Sequence, residues 1–225
     1  MAKAATANAA GVAGVTDLVL RQLGASDPVL KRLIARVGPF QLRHDPKRSP
    51  FQSLVRAVAN QQLNGKAADT ILGRFTALFP GRRFPKPGDL AEVTDDQIRA
   101  CGFSRAKIAA IRDIGAKALD GTIPTSRQIA RLGDEEIIER LTEVRGVGRW
   151  TVEMLLMFQL GRQDVLPADD FGVRNGFRIV FALAEMPKPK AVLEHGERWK
   201  PYRSVASWYL WRAVDLAKES KTAKA

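Results

Sequence analysis

Signals for the start of a helix recur along the amino-acid sequence. At each one, a side chain able to accept a backbone N–H precedes apolar residues at helical spacing, often with a proline or glutamine nearby. The five positions are Asp27-Pro28, Ser49-Pro50, Thr94 with Gln97, Ser104, and Thr125 with Gln128. No alternation of apolar and polar residues, the pattern typical of strands, competes with them. The sequence therefore predicts an all-α fold.

These helical patterns follow one another without a long linker. Irregular connections are expected at 80–89 and 185–190, where proline and basic residues are concentrated. We expect residues 15–225 to form a single helical domain of two lobes, with the N- and C-terminal ends sharing one lobe. Residues 1–14 are rich in alanine and glycine and lack the continuous apolar segment of a secretory signal, so we expect a disordered arm there.

Composition narrows the classes of protein to consider. The chain has 36 lysines and arginines against 24 aspartates and glutamates, a net charge of +12 that favours a polyanionic partner such as nucleic acid or an anionic membrane. Cys101 is the only cysteine, and His44 and His195 are the only histidines. A four-cysteine iron–sulfur cluster and a histidine-rich metal centre are therefore excluded. No apolar run reaches the roughly 18 residues of a membrane span.

The run RGVG at 145–148 interrupts two stretches of helical pattern. The first stretch ends near Val144, and the second covers 149–160. Gly146 can adopt the left-handed conformation that ends a helix, and Gly148 leaves space above the first amides of the next helix. Such a helix N-terminus favours a phosphate oxygen through its N–H donors and partial positive charge. The run predicts either a helix-hairpin-helix that grips DNA phosphates or simply a tight turn.

Three segments taken together resemble a known family. They are FQSLVRAVANQQLNGKAAD (51–69), LTEVRGVGRWTVEMLLMFQLGRQDVLPADDFGVRNGF (141–177) and ERWKPYRSVASWYLW (197–211). Their order, and the distance from the hairpin to the paired aspartates, resemble the helix-hairpin-helix DNA glycosylase superfamily and within it the 3-methyladenine DNA glycosylase II branch. The resemblance covers roughly residues 45–215. It implies an all-α fold of two helical lobes around a DNA-binding cleft.

The resemblance implies a monofunctional enzyme that hydrolyses the N-glycosidic bond of alkylated purines, such as 3-methyladenine and 7-methylguanine, in double-stranded DNA. Relatives that also cut the backbone have a lysine nucleophile where this chain has Trp150. The family's catalytic carboxylate carries over to Asp170, which would stabilise the oxocarbenium-like sugar or orient a water. Its neighbour Asp169 could instead be the helix cap. On the residues alone, an aspartate at a helix start is usually only a cap.

The resemblance also implies an aromatic pocket for the damaged base. Alkylated purines carry positive charge, which makes them good partners for electron-rich rings. By family position, the pocket residues are Trp150, Met154, Phe171 and Trp211. On the residues alone, a phenylalanine or methionine at helical spacing is more often plain core, and that alternative applies to Phe171 and Met154.

The family's plug residue, which fills the gap left by an extruded base, maps onto the loop at 60–64. Gln62 and Leu63 are the candidates, and the alternative is a helix end with polar capping. The paired glutamines differ from relatives that have an apolar wedge here. Fewer than about 45 residues precede the resemblance, too few for the N-terminal β-rich domain of some relatives, so we expect a compact helical form.

Backbone amides and basic side chains are expected to hold the DNA phosphates. The candidates are Gly146, Val147, Gly148, Arg149 and Arg174, with Arg82, Arg83 and Lys86 in a basic loop. Arg174 could alternatively form a salt bridge with Asp169 or Asp170. These contacts would carry no base information, so they would bind DNA without reading its sequence.

No cofactor is required by the implied chemistry. The backbone carbonyls of Thr142, Val144 and Val147 match positions at which family members hold a monovalent cation, Na⁺ or K⁺. The expected partner is double-stranded DNA containing alkylated bases, bound by a monomer in the cytoplasm, or in the nucleoid of a bacterium, and no membrane is expected. Three other readings stay open. They are a DNA-binding module without activity, a glycosylase for uracil, a deaminated purine or an oxidised base, and a basic helical interaction protein.

Overall fold

The computed structural model describes residues 17–63 and 65–222. Within them the α-helices run in chain order as α1 (Asp17–Ser26), α2 (Pro28–Val37), α3 (Pro50–Asn60), α4 (Gly65–Ala77), α5 (Asp95–Ala100), α6 (Arg105–Leu119), α7 (Ser126–Ile129), α8 (Asp134–Thr142), α9 (Arg149–Phe158), α10 (Phe171–Val180), α11 (Pro189–Gly196) and α12 (Arg203–Thr222). Two 3₁₀ turns cover Pro87–Glu92 and Glu197–Trp199, and this part of the chain contains no β-strand. The predicted all-α fold is confirmed.

Two of the sequence predictions concern residues outside the described ranges. The arm expected over 1–14 is one of them, and residue 64, at the end of the predicted plug loop, is the other. Among the helices that the structure describes, none is both long and apolar enough to cross a membrane.

The predicted helix starts are present, each with its capping side chain in place. Asp27 caps α2 by accepting the N–H groups of Val29 and Leu30 at 2.9 and 3.1 Å. The other caps, each accepting the amide three residues further on, are Ser49, Thr94, Ser104 and Thr125. Loss of such a cap costs about 1 kcal/mol. Local chemistry therefore fixes where these helices begin.

The chain divides into two compact units. One contains the described parts of 1–45 and 160–225, and the other contains residues 46–159. The first unit is built from α1, α2 and α10 to α12, and the second from α3 to α9. Both ends of the described chain therefore belong to the first unit.

In the first unit, α10 packs closely against α12. A Cβ atom added at Gly176 of α10 would lie 2.1 Å from the carbonyl oxygen of Leu210 in α12, so only glycine permits this separation. The large buried side chains around this contact are Phe177, Trp199 and Tyr209. The two helices form the frame that carries Asp170 at the start of α10 and Trp211 on α12.

A buried aspartate links separate segments of the first unit. Besides capping α2, Asp27 accepts the indole N–H of Trp199 at 3.0 Å, and its Oδ2 lies 2.8 Å from Nε2 of His195. Burial alone would raise the pKa of the Asp27 carboxyl, but hydrogen bonds from His195, Trp199 and two backbone amides outweigh it, so the pKa is lowered. The charged carboxylate is therefore the form that joins α2 to α11 and the turn after it.

In the second unit, α6 is packed against α3 and the 3₁₀ turn at 87–92. Its buried face includes Ile111 and Ile114. Beside it, the ring of Phe75 lies 5.4 Å from the ring of Phe79 and 5.6 Å from that of Phe103, in edge-to-face geometry. Such pairs add about 0.5–1.5 kcal/mol each beyond area burial. This core gives the second unit a rigid base for the loops described below.

Candidate active site and nucleic-acid interface

The helix-hairpin-helix predicted at 145–148 is present in the second unit, between the end of α8 and the start of α9. Gly146 has a φ of 76°, in the left-handed region. Gly148 is the N-cap of α9, and nothing lies within 4 Å of the place where a Cβ would stand. Gly148 therefore supplies no side chain to cap or cover the first amides of α9. A phosphate oxygen can approach these donors.

Two side chains of α6 fix the hairpin turn. Asp113 accepts the backbone N–H of Arg145 at 2.7 Å. Lys117, one helical turn further along and 3.4 Å from the Asp113 carboxylate, donates to the carbonyl of Glu143. These contacts hold the backbone on either side of Val144.

Arg149, a predicted phosphate contact, is engaged by two carboxylates. Its guanidinium donates to both oxygens of Glu135 at 2.7 and 3.1 Å, and its Nε donates to the buried Glu153 at 3.1 Å. The hydrogen bond to Glu135, with the charges of both carboxylates, raises the pKa of Arg149 against the opposing effect of burial. Arg149 thus ties the start of α9 to α8. Its contact with DNA phosphate stays a prediction.

Trp150, the second residue of α9, is 46% exposed. Met154, one turn further along, is half-buried. Residues four apart lie on the same helix face, so the two side chains form one apolar surface beside the hairpin. Neither side chain is fully buried in the core of the second unit.

Asp170 is the N-cap of α10, and two donors orient its carboxylate. Oδ1 accepts the backbone N–H of Val173 at 2.7 Å and the indole N–H of Trp211 at 2.8 Å. The neighbouring Asp169 is exposed and is not the cap. The helix cap and the candidate catalytic carboxylate are therefore one residue. Because both donors meet the same oxygen, α10 and α12 together fix the position of Oδ1.

Gly172 gives the indole of Trp211 room to reach Asp170. A Cβ at this position would lie 2.8 Å from Cδ1 of Trp211 and 3.0 Å from Oδ1 of Asp170, both shorter than ordinary contacts. Phe171, beside it, is 70% exposed and is not core. The start of α10 therefore brings together the predicted site residues Asp170, Phe171 and Trp211.

The loop that precedes α10 is fastened to the first turn of α12. Arg203 donates through Nε and Nη2 to the carboxylate of Asp164 at 2.8 and 3.0 Å. The hydroxyl oxygen of Ser204 accepts the N–H of Val165 at 2.9 Å. Since Trp211 stands about two turns further along the same helix, α12 holds both this loop and the side-chain donor to the candidate catalytic carboxylate.

The loop after α3 carries the predicted plug residues on its surface. Gln62 is exposed and has a φ of 58°, in the left-handed region, and Leu63 is 39% exposed. The ammonium of Lys107, in the first turn of α6, donates to the carbonyls of Ala59 and Gln61 at 2.9 and 2.8 Å. The tip of the loop is thus open to solvent, whereas its base is anchored.

The remaining basic residues predicted to contact DNA differ in their surroundings. Arg174 donates through Nε to the carbonyl of Pro187 at 2.9 Å. Arg82 pairs with Asp89, and this hydrogen bond raises the pKa of Arg82. Arg83 and Lys86 of the same loop are exposed. The predicted basic loop is therefore partly neutralised within the protein.

The predicted site residues are divided between the two units. The first unit contains Asp170, Phe171, Arg174 and Trp211. The second unit contains Gln62, Leu63, Gly146, Val147, Gly148, Arg149, Trp150 and Met154. Most of them lie at loop ends and helix starts, whereas Met154 and Trp211 lie inside α9 and α12.

Several residues that shape the site were not predicted from the sequence. They are Lys107, Asp113, Gly172, Arg203 and Ser204. Their partners lie from 32 to 48 residues away, beyond the reach of local patterns. One signal was available, since Lys107 stands in line with the buried Ile111 and Ile114 on α6, where helical spacing predicts an apolar residue.

Comparison with known proteins identifies the class that this fold and site define. The model of the HhH-GPD superfamily of base excision DNA repair proteins matches residues 55–201, more than half of the chain. The chain belongs to this family, and the predicted resemblance is confirmed.

Individual relatives place the chain more closely within the family. It is 43% identical over 210 residues to DNA-3-methyladenine glycosylase 1 of Schizosaccharomyces pombe, and the match covers 92% of each chain. A solved structure of 3-methyladenine DNA glycosylase from the same organism, in complex with abasic DNA, superposes with a TM-score of 0.79 over 87% of this chain and 95% of that one, at 43% identity. The DNA-3-methyladenine glycosidase of Bacillus halodurans superposes with a TM-score of 0.81 over 89% and 91%, at 37% identity.

Proposed function

We propose that this protein is a monofunctional DNA glycosylase that hydrolyses the N-glycosidic bond of alkylated purines in double-stranded DNA. The observation that carries the proposal is the carboxylate of Asp170, fixed by Val173 and Trp211 at the start of α10 in a chain of the HhH-GPD family. Relatives named as 3-methyladenine glycosylases support the substrate class. One of them was solved with abasic DNA, the product expected after a base is released.

The chemistry assigned to Asp170 follows from its position. As the glycosidic bond breaks, the sugar gains positive charge, and a carboxylate held at a fixed angle stabilises that charge or orients the attacking water. The donors that fix Oδ1 reduce the rearrangement needed during the reaction. Positioned acid–base help of this kind contributes about 10²–10⁴ in rate.

Hydrolysis without strand cleavage follows from Trp150. An indole has no amine to attack the sugar and form a Schiff base, so this position cannot supply the covalent step of a glycosylase that also cuts the backbone. Its ring is exposed beside the hairpin, where it is available to a base. We therefore assign Trp150 to the pocket rather than to the bond-breaking step.

Selection of alkylated bases rests on exposed aromatic rings. The positive charge of 3-methyladenine or 7-methylguanine makes each a good leaving group and attracts it to electron-rich ring faces. A desolvated cation–π contact contributes about 2 kcal/mol or more. The rings assigned to this role are Trp150, Phe171 and Trp211, with Met154 beside Trp150. All four are exposed or half-buried, as a binding role requires.

The hairpin supports binding to the DNA backbone. Gly148 leaves the first amides of α9 uncovered, and amide donors at a helix N-terminus bind phosphate without reading bases. A net charge of +12 adds long-range attraction for DNA. We propose that the protein acts on double-stranded DNA, and that it does so as a monomer.

We propose further that the carbonyls of Thr142, Val144 and Val147 hold a monovalent cation. The donor set fits, because Na⁺ and K⁺ are bound by neutral oxygens and Thr142, the last residue of α8, has a carbonyl beyond the helical hydrogen bonds. The Val144 carbonyl accepts the N–H of Val147 at 3.0 Å and retains a second lone pair. A higher melting temperature in KCl than in tetramethylammonium chloride of equal ionic strength would support this site, and equal values would count against it.

The activity can be tested directly with DNA methylated in vitro. The protein should release free 3-methyladenine and 7-methylguanine, detected by chromatography, and leave alkali-labile sites without nicking the strand itself. A DNA-binding module without activity would release nothing. A glycosylase of another specificity would release uracil, hypoxanthine or an oxidised base from matched duplexes while leaving methylated DNA intact.

A further inference from the structure

The end of α3 is held by a lysine from a helix far away in the sequence. Lys107, in the first turn of α6, donates from Nζ to the carbonyl of Ala59 at 2.9 Å and to that of Gln61 at 2.8 Å. Both carbonyls belong to the segment where α3 ends and the loop with Gln62 and Leu63 begins. A single ammonium therefore fixes the backbone from which the loop tip projects.

The surroundings of Lys107 are unusual for a lysine. It lies on the face of α6 that includes the buried Ile111 and Ile114, and burial lowers its pKa. Within the part of the chain that the structure describes, its hydrogen bonds go to backbone carbonyls and to no carboxylate. Lys107 is half-buried, and removing part of an ammonium from water has a cost that an apolar side chain at this position would not have. Compared with an apolar residue, Lys107 contributes the two hydrogen bonds to the end of α3 and the start of the loop.

A second contact anchors the same segment through the side chain of Gln61. Gln61 extends its side chain to the hairpin and donates from Nε2 to the carbonyl of Gly146 at 2.9 Å. The next residue, Gln62, has a left-handed φ of 58°, a conformation that residues with a Cβ atom rarely adopt. Both anchors lie immediately before this turn, so they fix the backbone from which Gln62 and the exposed Leu63 project. The same contacts tie the loop to the hairpin.

We propose that Lys107 is a positioning residue for base eversion, the movement of the damaged base out of the duplex. Lys107 fixes the loop so that Gln62 and Leu63 enter the duplex as the base leaves. This inference rests on the proposed glycosylase function. Moving a base out of the duplex breaks its stacking and pairing, and a side chain that fills the gap must enter at the right place. A loop ordered in advance does not lose conformational entropy at that moment.

The test compares one variant on two substrates. Lys107→Met removes the ammonium while keeping a long apolar side chain. Under single-turnover conditions it should release 7-methylguanine from a fully paired duplex roughly 10- to 100-fold more slowly than wild type, because a displacement of about 1 Å has that effect. With 7-methylguanine in a single-base bulge, already unstacked, the rate should stay within about threefold of wild type.

Two further variants control for charge and for folding. Lys190→Met removes one positive charge from α11, at a side chain that is 87% exposed, and should match wild type on both substrates. Lys107→Arg keeps the charge and the donors and should recover most of the rate on the paired duplex. If Lys107→Met does not fold at the assay temperature, Lys107→Gln, which retains one amide donor group, is measured on the same two substrates.

The outcomes separate the inference from the proposed function. If wild type releases no base from either substrate, the proposed function fails. If wild type is active and Lys107→Met matches it on the paired duplex, Lys107 does not position the loop. An equal loss on paired and bulged substrates would also overturn the inference, since it would indicate general damage to the fold rather than a defect in eversion.

Discussion

At Asp170 a single oxygen atom receives two hydrogen bonds with different origins. The amide of Val173 is the donor that any helix cap would use, whereas the indole of Trp211 comes from another helix. The second donor distinguishes Asp170 from an aspartate that only caps, because a cap requires no partner outside its own helix. Gly172 is the residue that makes this second bond possible.

At the scale of single residues, we expect Gly172→Ala to slow base release strongly and to lower the melting temperature only slightly. The added methyl group would overlap the Trp211 ring and Oδ1 of Asp170, so the indole must move and the carboxylate loses a donor. The single-turnover rate should fall roughly 10- to 100-fold. The melting temperature should fall by about 2–4 °C, the shift expected for about 1 kcal/mol in a chain of this size.

Gly73→Ala is the matched control for this variant. Gly73 lies inside α4, and nothing is within 4 Å of its missing Cβ, so alanine should be tolerated or slightly stabilising. An unchanged rate of base release by Gly172→Ala would show that Trp211 does not need this space to orient Asp170.

At the scale of elements, the contact between α10 and α12 carries the site of the first unit. Its closest approach is at Gly176, where a Cβ would meet the backbone of Leu210 rather than a movable side chain. The start of α12 also fastens the loop before α10 through Asp164 and Ser204. The position of Asp170 therefore depends on two attachments to the same helix.

We expect Gly176→Ala to destabilise the protein by about 1–3 kcal/mol, since α10 must shift to relieve overpacking. The melting temperature, followed by circular dichroism, should drop by several degrees, which is more than for Gly172→Ala. Base release should fall as well, because Asp170 moves with α10. A variant that melts together with wild type would contradict the close approach of the two helices.

The buried Asp27 links elements of the same unit, and its lowered pKa predicts that the free energy of unfolding depends on pH. Its folded-state pKa lies below the usual value of 3.8, so it stabilises the protein at pH values above 3.8. This contribution is lost as pH falls through the lower folded-state value. Asp27→Asn should therefore lower the free energy of unfolding at pH 7 by about 1.5–3 kcal/mol, the range for hydrogen bonds to a charged group.

The difference between Asp27→Asn and wild type should shrink as pH falls below 3.8. Urea denaturation at a series of pH values measures it. Asp215→Asn, which removes a surface ion pair with Arg212, is the control and should have a small effect throughout. A difference between Asp27→Asn and wild type that stays constant from neutral pH down to acid would contradict the assignment of the charged form.

For the whole molecule, the charge predicts how DNA affinity depends on salt. With about four phosphates neutralised, the affinity for duplex DNA should fall ~10²-fold between 50 and 200 mM salt. Fluorescence anisotropy with an undamaged duplex measures this slope. Several arginines are already paired with carboxylates, among them Arg149 and Arg82, so lysines and unpaired arginines must supply the slope. Affinity independent of salt would contradict a phosphate-based footprint.

Local features of the whole chain were predictable from the sequence. The caps at Asp27, Ser49 and Thr94 depend on residues within a few positions, and so does the left-handed Gly146 of the hairpin. Those interactions are short in sequence, and therefore composition and spacing reveal them. The role of Asp170 came from the family resemblance rather than from its own neighbourhood.

Contacts over long distances in sequence were not predictable. Glu135, 14 residues earlier, accepts a hydrogen bond from the guanidinium of Arg149, and no local pattern predicted this pair. Lys107 reaches Ala59 across 48 residues. Such pairs depend on how helices pack against one another, and no local pattern in a single sequence predicts that packing. The space at Gly172 is likewise visible only once Trp211 is placed beside it.

The measurement that tests the central claim most directly is base release by Asp170→Asn. Asparagine still presents Oδ1 to Val173 and Trp211, so the fold and DNA binding should be retained while the negative charge is lost. Release of 7-methylguanine should fall by ~10²–10⁴, whereas Asp169→Asn, the same change at the exposed neighbour, should release base like wild type. Near-normal release by Asp170→Asn, with binding intact, would contradict the assignment of Asp170 as the catalytic carboxylate.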